Sequence, residues 1–274
     1  MSVNFGSGLH AAPGRAVDTL AYEQYIGRWS RLFVPAMLAA AKVAGGDQEL
    51  DVAAGSGEAA AMALPAVERT GGVVGTDISW AMLHAARARL SSAAFRPVVM
   101  DGQALAFRDA SFDAVVCQLG LQFFPDPARG VMEFRRALRP RRRAAVCVIS
   151  TPERAPMWGV LADVLSRYLP DQREALHLGF ALADTARLER LFRAADFRDI
   201  RVQREVRQGT VESFDDYWRP IEAGTGQIPQ AYLALPEPRR RAVREEVHAR
   251  LSEFESDGRR LVMSVEMLIA AGRA

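Results

Sequence analysis

The chain has 274 residues, of which 49% are hydrophobic and 25% charged, and its formal net charge at pH 7 is +2. This composition is typical of a soluble globular protein, and the small net charge provides no overall field for nucleic acid or an anionic membrane. Apolar runs too short to span a bilayer, and a start that lacks signal-peptide features, predict a cytoplasmic protein without a membrane span.

The cysteines and histidines give no sign of a disulfide or a metal site. Cys117 and Cys147 fall inside the apolar, strand-like runs "DAVVC" and "AAVCVI", which indicates buried, reduced thiols. The four histidines are scattered along the chain without the spacing of metal ligands, so no metal is expected. They are His10, His84, His177 and His248.

The first 150 residues alternate between helical and strand-like segments. Residues 1–21 are predicted as a mobile tail, and residues 22–45 as N-terminal helices, because apolar residues recur there at helical spacing. Residues 46–150 then contain five apolar strands separated by helices: "QELDVA", "GGVVGTD", "FRPVVMD", "FDAVVCQ" and "RRAAVCVIS". This order predicts an α/β fold with a Rossmann-like, doubly wound, mostly parallel sheet of seven strands and a ligand site at the strands' carboxyl ends.

The remainder of the chain predicts additions to this core and no second independent domain. Residues 151–209 are predicted as a helical addition followed by a sixth strand, "FRDIRVQREV". Residues 210–258 are predicted as a helical cap insertion, and residues 259–274 as the final strand of the sheet. The helical additions are expected to lie over the carboxyl ends of the strands.

The stretch "ELDVAAGSGEAAAMA", residues 49–63, raises the question of the ligand. From Gly55 it fits the dinucleotide pattern G-x-G-x-x-A, and Asp77 follows 22 residues later, so a nicotinamide dinucleotide is a serious candidate. However, Asp51 precedes the turn and Asp101 ends the third strand. Three carboxylates around one crevice disfavour two phosphates and suit a nucleoside that carries positive charge.

Four ordered segments carry a specific resemblance. They are "LDVAAGSGE", "VVGTDISWAML", "VVMDGQALAFRDASFDAVVCQLGLQFFPDP" and "EFRRALRP". They resemble motifs of the class I S-adenosylmethionine-dependent methyltransferases, and are most similar to the methyltransferase 11-like branch that includes the ubiquinone/menaquinone-biosynthesis C-methyltransferases. The resemblance covers roughly residues 22–150 and fades beyond them.

The resemblance implies S-adenosylmethionine as the cofactor and N-terminal helices that close over it. It places Asp51 near the cofactor ammonium, Asp77 at the ribose hydroxyls and Asp101 at the adenine amino group. The other implied cofactor-binding residues are Ala53, Gly55, Gly57, Ile78, Met82, Gly102, Gln103 and Gln118. Local structural roles remain open alternatives for the three acids, because each could simply cap a turn.

The acceptor site is less well defined. Its candidate residues are Tyr25, Trp29, Gln122, His177, Phe180, Tyr217 and Trp218. Gln122 stands where many relatives carry histidine, and glutamine cannot act as a base. We therefore expect catalysis mainly by proximity, on an acceptor such as a phenol, an enol carbon or an amine, with His177 as the one reserve candidate for a base.

The predicted function is O-, N- or C-methylation of a small molecule. The alternatives are an inactive cofactor-binding partner or regulatory protein and, less favoured, an NAD(P)-dependent oxidoreductase. No nucleic-acid partner is expected, and a homodimer is left open.

Two departures from the family pattern carry expectations of their own. Ala53 stands where a glycine is usual, and we expect its φ to stay negative. The usual Pro-Gly-Gly after the fourth helix is replaced by Pro140-Arg141-Arg142-Arg143, which we expect to form a solvated turn away from the crevice.

Overall fold

The computed structural model describes residues 19–68, 70–224 and 226–274. Most of the predicted tail, residues 1–18, lies outside this part. The first helical segment begins at Thr19, within the predicted tail, and comprises α1 (Thr19–Tyr22), a π-helical stretch (Glu23–Gly27) and α2 (Arg28–Ser30). We call Thr19–Ser30 the lid. Helix α3 (Val34–Ala41) follows.

The sheet has the predicted architecture. Its strands are β1 (Gln48–Val52), β2 (Gly72–Asp77), β3 (Phe95–Val99), β4 (Phe112–Gln118), β5 (Leu138–Ile149), β6 (Arg198–Val211), β7 (Glu255–Ser256) and β8 (Arg260–Arg273). Seven of them lie side by side in the order β3-β2-β1-β4-β5-β8-β6, and the two-residue β7 pairs with β8. Strands β1 to β5 are parallel to one another, whereas β8 runs antiparallel to both of its neighbours, β5 and β6. The predicted α/β, mostly parallel fold is therefore confirmed.

Helices cover both faces of the sheet. They are α4 (Glu58–Val67), α5 (Trp80–Leu90), α6 (Pro127–Ala137), α7 (Pro156–Tyr168), α8 (Arg173–Leu176), α9 (Thr185–Ala194), α10 (Phe214–Glu222), α11 (Gln227–Leu233) and α12 (Glu237–Leu251). Side-chain caps fix several starts: Ser79 accepts from the Met82 amide at α5, and Asp126 accepts from the Arg129 amide before Pro127 at α6. Two hydrophobic cores result, one on each face.

The lid, α7 and the cap helices α10 to α12 belong to the same core. The indole N–H of Trp158 donates to the Tyr25 carbonyl at 3.2 Å, and the Tyr217 hydroxyl donates to the Met157 carbonyl at 2.8 Å. Arg28 of the lid pairs with Asp216 of α10 at 3.1 Å. In the sequence, the cap is inserted between the carboxyl end of β6 and the start of β8. In space, this insertion point lies next to the carboxyl ends of the parallel strands.

The arginine run does not form the plain solvated turn that the sequence predicted. It lies within β5, and Arg142 pairs with both Asp47 and Asp113 at 2.8 Å, while Arg139 also pairs with Asp113. The expectation was wrong because two largely buried carboxylates at the amino ends of β1 and β4 require positive partners. The arginines therefore tie the amino ends of three strands together.

Candidate functional site

The turn after β1 is built from left-handed backbone. Gly55 and Gly57 have φ of +54° and +82°, which glycine adopts without steric cost. Ala53 has φ of +57°, so the expectation of a negative φ was wrong; this conformation costs an alanine roughly 1–2 kcal/mol. Its methyl group points at Gly120, where a Cβ would lie only 2.4 Å away. The loop after β4 thus makes room for the alanine.

Asp51 lies beneath this turn without any exposure to solvent. Neither carboxylate oxygen has a hydrogen-bond partner within the described part of the chain. Burial raises the pKa of Asp51 to about 8. The Ala60 backbone N–H, which lies close but makes no well-aligned hydrogen bond to either oxygen, opposes this only in part, and the charge of Asp77 adds to it. A buried carboxyl group without a donor is costly, so the position suits an incoming cation or donor.

Asp77 ends β2 and holds the glycine turn in place. Its two oxygens accept from the Gly55 amide at 2.9 Å and from the Ser79 amide at 2.8 Å. Burial raises the pKa of Asp77, although these backbone N–H groups oppose the effect. Met82 closes one side of the turn, and its Sδ-bound methyl carbon lies 3.5 Å from a Cβ built on Gly55. Ile78, half-buried, directly follows the carboxylate.

Asp101 follows β3 and is engaged in its own loop. It accepts from the Gln103 backbone amide at 2.8 Å and from the Gln103 side-chain amide at 3.2 Å. The Gln103 side-chain oxygen in turn accepts from the Asp126 amide at 2.8 Å. The Gln103 backbone N–H, which the resemblance assigned to the adenine edge, is therefore already used. Gly102 packs between Val52 and Phe124, where a Cβ would lie 2.4 Å from the phenylalanine ring.

The lid crosses the glycine turn and is joined to the core by ion pairs. The Tyr22 hydroxyl lies 3.7 Å from a Cβ built on Gly55. Glu23 pairs with Arg31 and, at 3.0 Å, with Arg89 of α5. Glu58, the first residue of α4, pairs with Arg89 and, at 3.4 Å, with Arg31. We call these four charged residues the ionic clasp.

The electrostatic field at the turn is negative. Burial and the carboxylates of Asp77, Glu58 and Glu23 raise the pKa of the Tyr22 phenol. Burial and the neighbouring Glu23 carboxyl group also raise the pKa of Glu58 to about 7, although both arginines oppose this. Such surroundings attract a cation and repel a pyrophosphate.

Neutral polar atoms without partners lie at the end of β4 and under the lid. The Gln118 side chain donates to the Ser30 carbonyl at 3.0 Å, but its oxygen has no partner among the described residues. Gln122 is 2% exposed, and neither its amide atoms nor the Tyr25 hydroxyl is hydrogen-bonded to any residue in the described ranges. Because native proteins rarely leave buried polar atoms unpaired, this group fits a ligand with polar atoms of its own.

The other acceptor candidates are packed inside the protein. Trp29 is buried against Gly209 of β6, where a Cβ would lie 2.2 Å from the indole ring. Tyr217 and Trp218 are buried in the cap, with the phenol on Met157 and the indole N–H on Glu222 at 3.2 Å. These contacts favour packing over direct lining of a pocket for all three rings. Phe180 is buried in the turn Leu178–Phe180, which lies near the carboxyl end of β5.

His177 is engaged on both sides of its ring. Nε2 lies 3.0 Å from an Asp163 oxygen, and Nδ1 lies 2.9 Å from the Arg173 carbonyl. Both ring nitrogens therefore face polar groups of α7 and α8, and neither is directed at a substrate. Ser166 lies 3.3 Å from Nδ1, but its hydroxyl donates to the Ala162 carbonyl, so the arrangement is not a nucleophilic triad. The cluster joins α7 to α8 and argues against His177 as the base.

Neither a metal centre nor a membrane span is found among residues 19–68, 70–224 and 226–274. No three His, Cys, Asp or Glu side chains in these ranges are grouped so that they could hold a metal ion. None of the helices in these ranges is both long and apolar enough to cross a bilayer.

Some residues of the site escaped the sequence analysis. Tyr22 was visible only as part of an apolar stripe, and the ionic clasp joins residues that are up to 66 positions apart, which no local pattern reveals. Glu49 was also missed, although an acid inside an apolar, strand-like run is visible in the sequence. Its side chain has no exposure and no hydrogen-bond partner among the described residues.

The sheet order and the carboxylate-lined glycine turn define a Rossmann-like domain of the class I methyltransferase type. Residues 50–146 match the methyltransferase domain family. This segment is therefore similar to the class I S-adenosylmethionine-dependent methyltransferases, and to the branch that the sequence resembles.

Two methyltransferases are similar to part of this chain in sequence. A demethylmenaquinone methyltransferase of Corynebacterium kroppenstedtii is 37% identical over 127 residues, which cover 46% of this chain and 52% of the relative. The ubiquinone/menaquinone biosynthesis C-methyltransferase UbiE of Xanthomonas campestris is 36% identical over 126 residues, covering 44% and 48% of the two chains. The chain thus spans about half the length of these relatives.

A solved structure shows the same fold. The phosphoethanolamine N-methyltransferase 2 of Haemonchus contortus, in complex with S-adenosyl-L-methionine, has a TM-score of 0.58 at 19% identity. The likeness covers 93% of this chain and 56% of that one. It therefore extends through most of the cap region as well as the core.

Proposed function

We propose that this protein is an S-adenosylmethionine-dependent methyltransferase that acts on a small-molecule acceptor. The observation that carries the proposal is Asp51, a fully buried carboxyl group with two unpartnered oxygens beneath the glycine turn. A ligand with an ammonium group and no phosphate satisfies this position, whereas a dinucleotide would bring negative charge to a turn already surrounded by carboxylates.

The residues fit such a cofactor in a definite arrangement. Asp51 would bind the ammonium, Asp77 the ribose hydroxyls and Asp101 the adenine amino group. Ile78 and Met82 would pack on the nucleoside, and Tyr22 would cover the turn from the lid. The remaining proposed contacts are Ala53, Gly55, Gly57, Gly102 and Gln118, whereas the polar groups of Gln103 are engaged in its own loop.

The cofactor, when bound, supplies an activated methyl group, so the protein mainly has to bind and orient the two reactants. Alignment of a nucleophile can be worth roughly 7–11 kcal/mol. Gln118, Gln122 and Tyr25 carry the unpartnered neutral atoms that would orient the acceptor, and the lid and cap would exclude water. With His177 engaged, we propose no general base among the described residues.

For the acceptor we propose a quinone-related ring, methylated at carbon. The names of the relatives suggest this class, and the neutral, unpartnered amide and phenol groups at the end of β4 support it. Such groups can hold the oxygens of a hydroxylated ring without fixing a charge. The ring carbon next to a phenolate oxygen is already nucleophilic, and after methylation the hydrogen of that carbon would leave as a proton to water.

Cofactor binding is tested by titrating the protein calorimetrically with S-adenosylhomocysteine and with NADH. We expect heat with the thioether only, and Asp51→Asn should weaken it. Heat with the dinucleotide alone would establish the oxidoreductase alternative instead.

Turnover is tested with labelled S-adenosylmethionine and a reduced demethylated quinone. Label transferred to the ring carbon supports the proposal. Tight cofactor binding without transfer to this ring, to simple phenols or to amines would favour a non-catalytic cofactor-binding protein.

A further inference from the structure

Glu49 is a second buried carboxyl group behind Asp51. It lies two residues earlier in β1, so both side chains project from the same face of the sheet. Its neighbours across the ladder are Val73 and Ala114, both fully buried. Glu49 has no exposure, and neither of its oxygens has a partner within the described ranges.

Among the described residues, no cation forms an ion pair with Glu49 or Asp51. Arg143 of β5, one strand beyond β4, donates instead to the Ala40 carbonyl at 3.2 Å. Helix α3 contains no titratable side chain, and α4 contains only Glu58, which belongs to the ionic clasp. Strand β2 contributes Asp77, and β4 contributes the buried thiol of Cys117. Asp47, at the amino end of β1, is neutralised by Arg142.

Two carboxyl groups in such surroundings cannot both ionise without a large cost. Burial, together with the charges of Asp51 and Asp47, raises the pKa of Glu49 well above its ordinary value. The titrations of Glu49 and Asp51 are therefore coupled, and the group that meets a cation first will lose its proton. Asp51 is that group, because it lies nearer the carboxyl end of the strand and the glycine turn.

We propose that Glu49 and Asp51 both keep their protons until the cofactor ammonium arrives, and that binding then releases one proton, from Asp51, to solvent. Glu49 retains its own proton throughout. This inference rests on the proposed cofactor. Its consequence is a site that accepts a cationic ligand without holding an unpaired buried charge beforehand.

The test counts protons. S-adenosylhomocysteine is titrated at pH 6.5 in two buffers of different ionisation enthalpy, so that the difference in heat gives the protons released on binding. An α-amino group titrates near 8, so the ligand stays cationic at this pH. We expect close to one proton released by the native protein and none by Asp51→Asn.

The variants assign the released proton to Asp51 and not to Glu49. Glu49→Gln keeps the size of the side chain and replaces a neutral carboxyl group with a neutral amide, so it should release the native number of protons. Asp113→Asn removes an arginine-paired acid from the neighbouring strand and should also release the native number. In the native protein and in Glu49→Gln, affinity should rise about tenfold from pH 6 to pH 7, whereas in Asp51→Asn it should change little.

Each outcome is decisive. Binding without proton release in the native protein overturns the inference and leaves the proposed function intact, whereas no binding of S-adenosylhomocysteine at all refutes the proposed function. Loss of the proton release in Glu49→Gln would assign the released proton to Glu49 and overturn the assignment to Asp51. If Glu49→Gln does not fold, Glu49→Val, with the residue type usual in a buried strand, takes its place.

Discussion

At the scale of single residues, Asp77 has two tasks. It anchors the amides of Gly55 and Ser79, and we propose that its remaining lone pairs accept from ribose hydroxyls. We expect Asp77→Ala to weaken S-adenosylhomocysteine binding by about 1.5–3 kcal/mol, because charge-assisted hydrogen bonds are lost. Calorimetry measures this change.

Ser79→Ala is the matched control for Asp77→Ala. It removes the cap of α5, in which the Ser79 hydroxyl accepts from the Met82 amide at 3.3 Å, but keeps the carboxylate. We expect it to lower the free energy of unfolding by about 1 kcal/mol and to change the affinity little. An affinity of Asp77→Ala within twofold of native would refute the ribose role.

The buried acid Asp51 also predicts how stability depends on pH. Its pKa is raised from 3.8 to about 8, so between these values the folded chain binds this proton more tightly than the unfolded chain. The stabilisation is complete below the unfolded pKa and is lost as pH rises through about 8, with a slope of up to about 1.4 kcal/mol per pH unit. Glu49 contributes with the same sign.

Thermal denaturation without ligand, from pH 5 to pH 8 in steps of about one unit, tests this slope. We expect Asp51→Asn to flatten the fall in melting temperature relative to the native protein. The paired acids Glu133 and Glu266 have lowered pKa values, so their stabilisation is already complete at the start of this range and cannot produce the slope. Parallel curves for the two proteins would contradict the prediction.

A residue's position could be predicted when a short stretch of sequence determines it, and could not when packing between distant segments does. Short sequence motifs predicted that Asp51, Asp77 and Asp101 lie at the carboxyl ends of three successive strands. The structure has them there. The surroundings of Tyr217 and His177 depend on which helices pack together after residue 150. No short pattern encodes that packing, so exposure and partners could not be read from the sequence.

At the scale of elements, the lid is held by charges as well as by apolar contacts. Glu23→Ala should loosen the ionic clasp, because it removes a partner from both Arg31 and Arg89. Since these side chains are partly exposed, we expect a loss of only about 0.5–1 kcal/mol, which corresponds to roughly two- to fivefold faster dissociation of S-adenosylhomocysteine.

Stopped-flow displacement measures this dissociation rate. Glu189→Ala is the control, because it breaks an exposed pair with Arg193 on α9, away from the lid. The effect of Glu23→Ala should shrink at high salt, since screening weakens the clasp in the native protein as well. An unchanged rate at low salt would show that the clasp does not hold the lid.

The helices and strands themselves were largely predictable, and the exceptions have physical causes. The helices predicted between the first three strands are α4 and α5, whose starts are marked by a glycine turn and a serine cap. Strand β6 continues to Val211, beyond the predicted "FRDIRVQREV", since pairing with β8 extends it through polar residues. Pairing between distant strands overrides local polarity.

At the scale of the whole molecule, the cap is part of the fold as well as a cover. The Tyr217–Met157 hydrogen bond and the Arg28–Asp216 ion pair join it to α7 and to the lid. Residues of the lid, of one sheet face and of the cap all belong to one buried cluster. Changes in the cap are therefore expected to reach the cofactor through the lid, so acceptor specificity is better probed with point variants than by deletion.

We expect the two ends of the parallel strands to have different roles, the amino ends in stability and the carboxyl ends in binding. Asp51, Asp77 and the lid lie at the carboxyl ends of the strands, whereas Arg142, Asp47 and Asp113 join the amino ends. Arg142→Ala should leave two buried carboxylates short of a partner. Because Arg142 itself is partly exposed, we expect a loss of about 1–3 kcal/mol in the free energy of unfolding, at the low end of values for buried pairs.

For a chain of this size, such a loss lowers the melting temperature by roughly 2–4 °C per kcal/mol. The affinity for S-adenosylhomocysteine, measured well below the transition, should stay within twofold of native, because no element of the glycine turn contacts Arg142. Arg142→Lys retains the charge but cannot reach both carboxylates in the same fork geometry, so it should restore only part of the stability. A large loss of affinity in Arg142→Ala would mean that the amino ends of the strands also shape the glycine turn, and the difference in roles between the two ends would then fail.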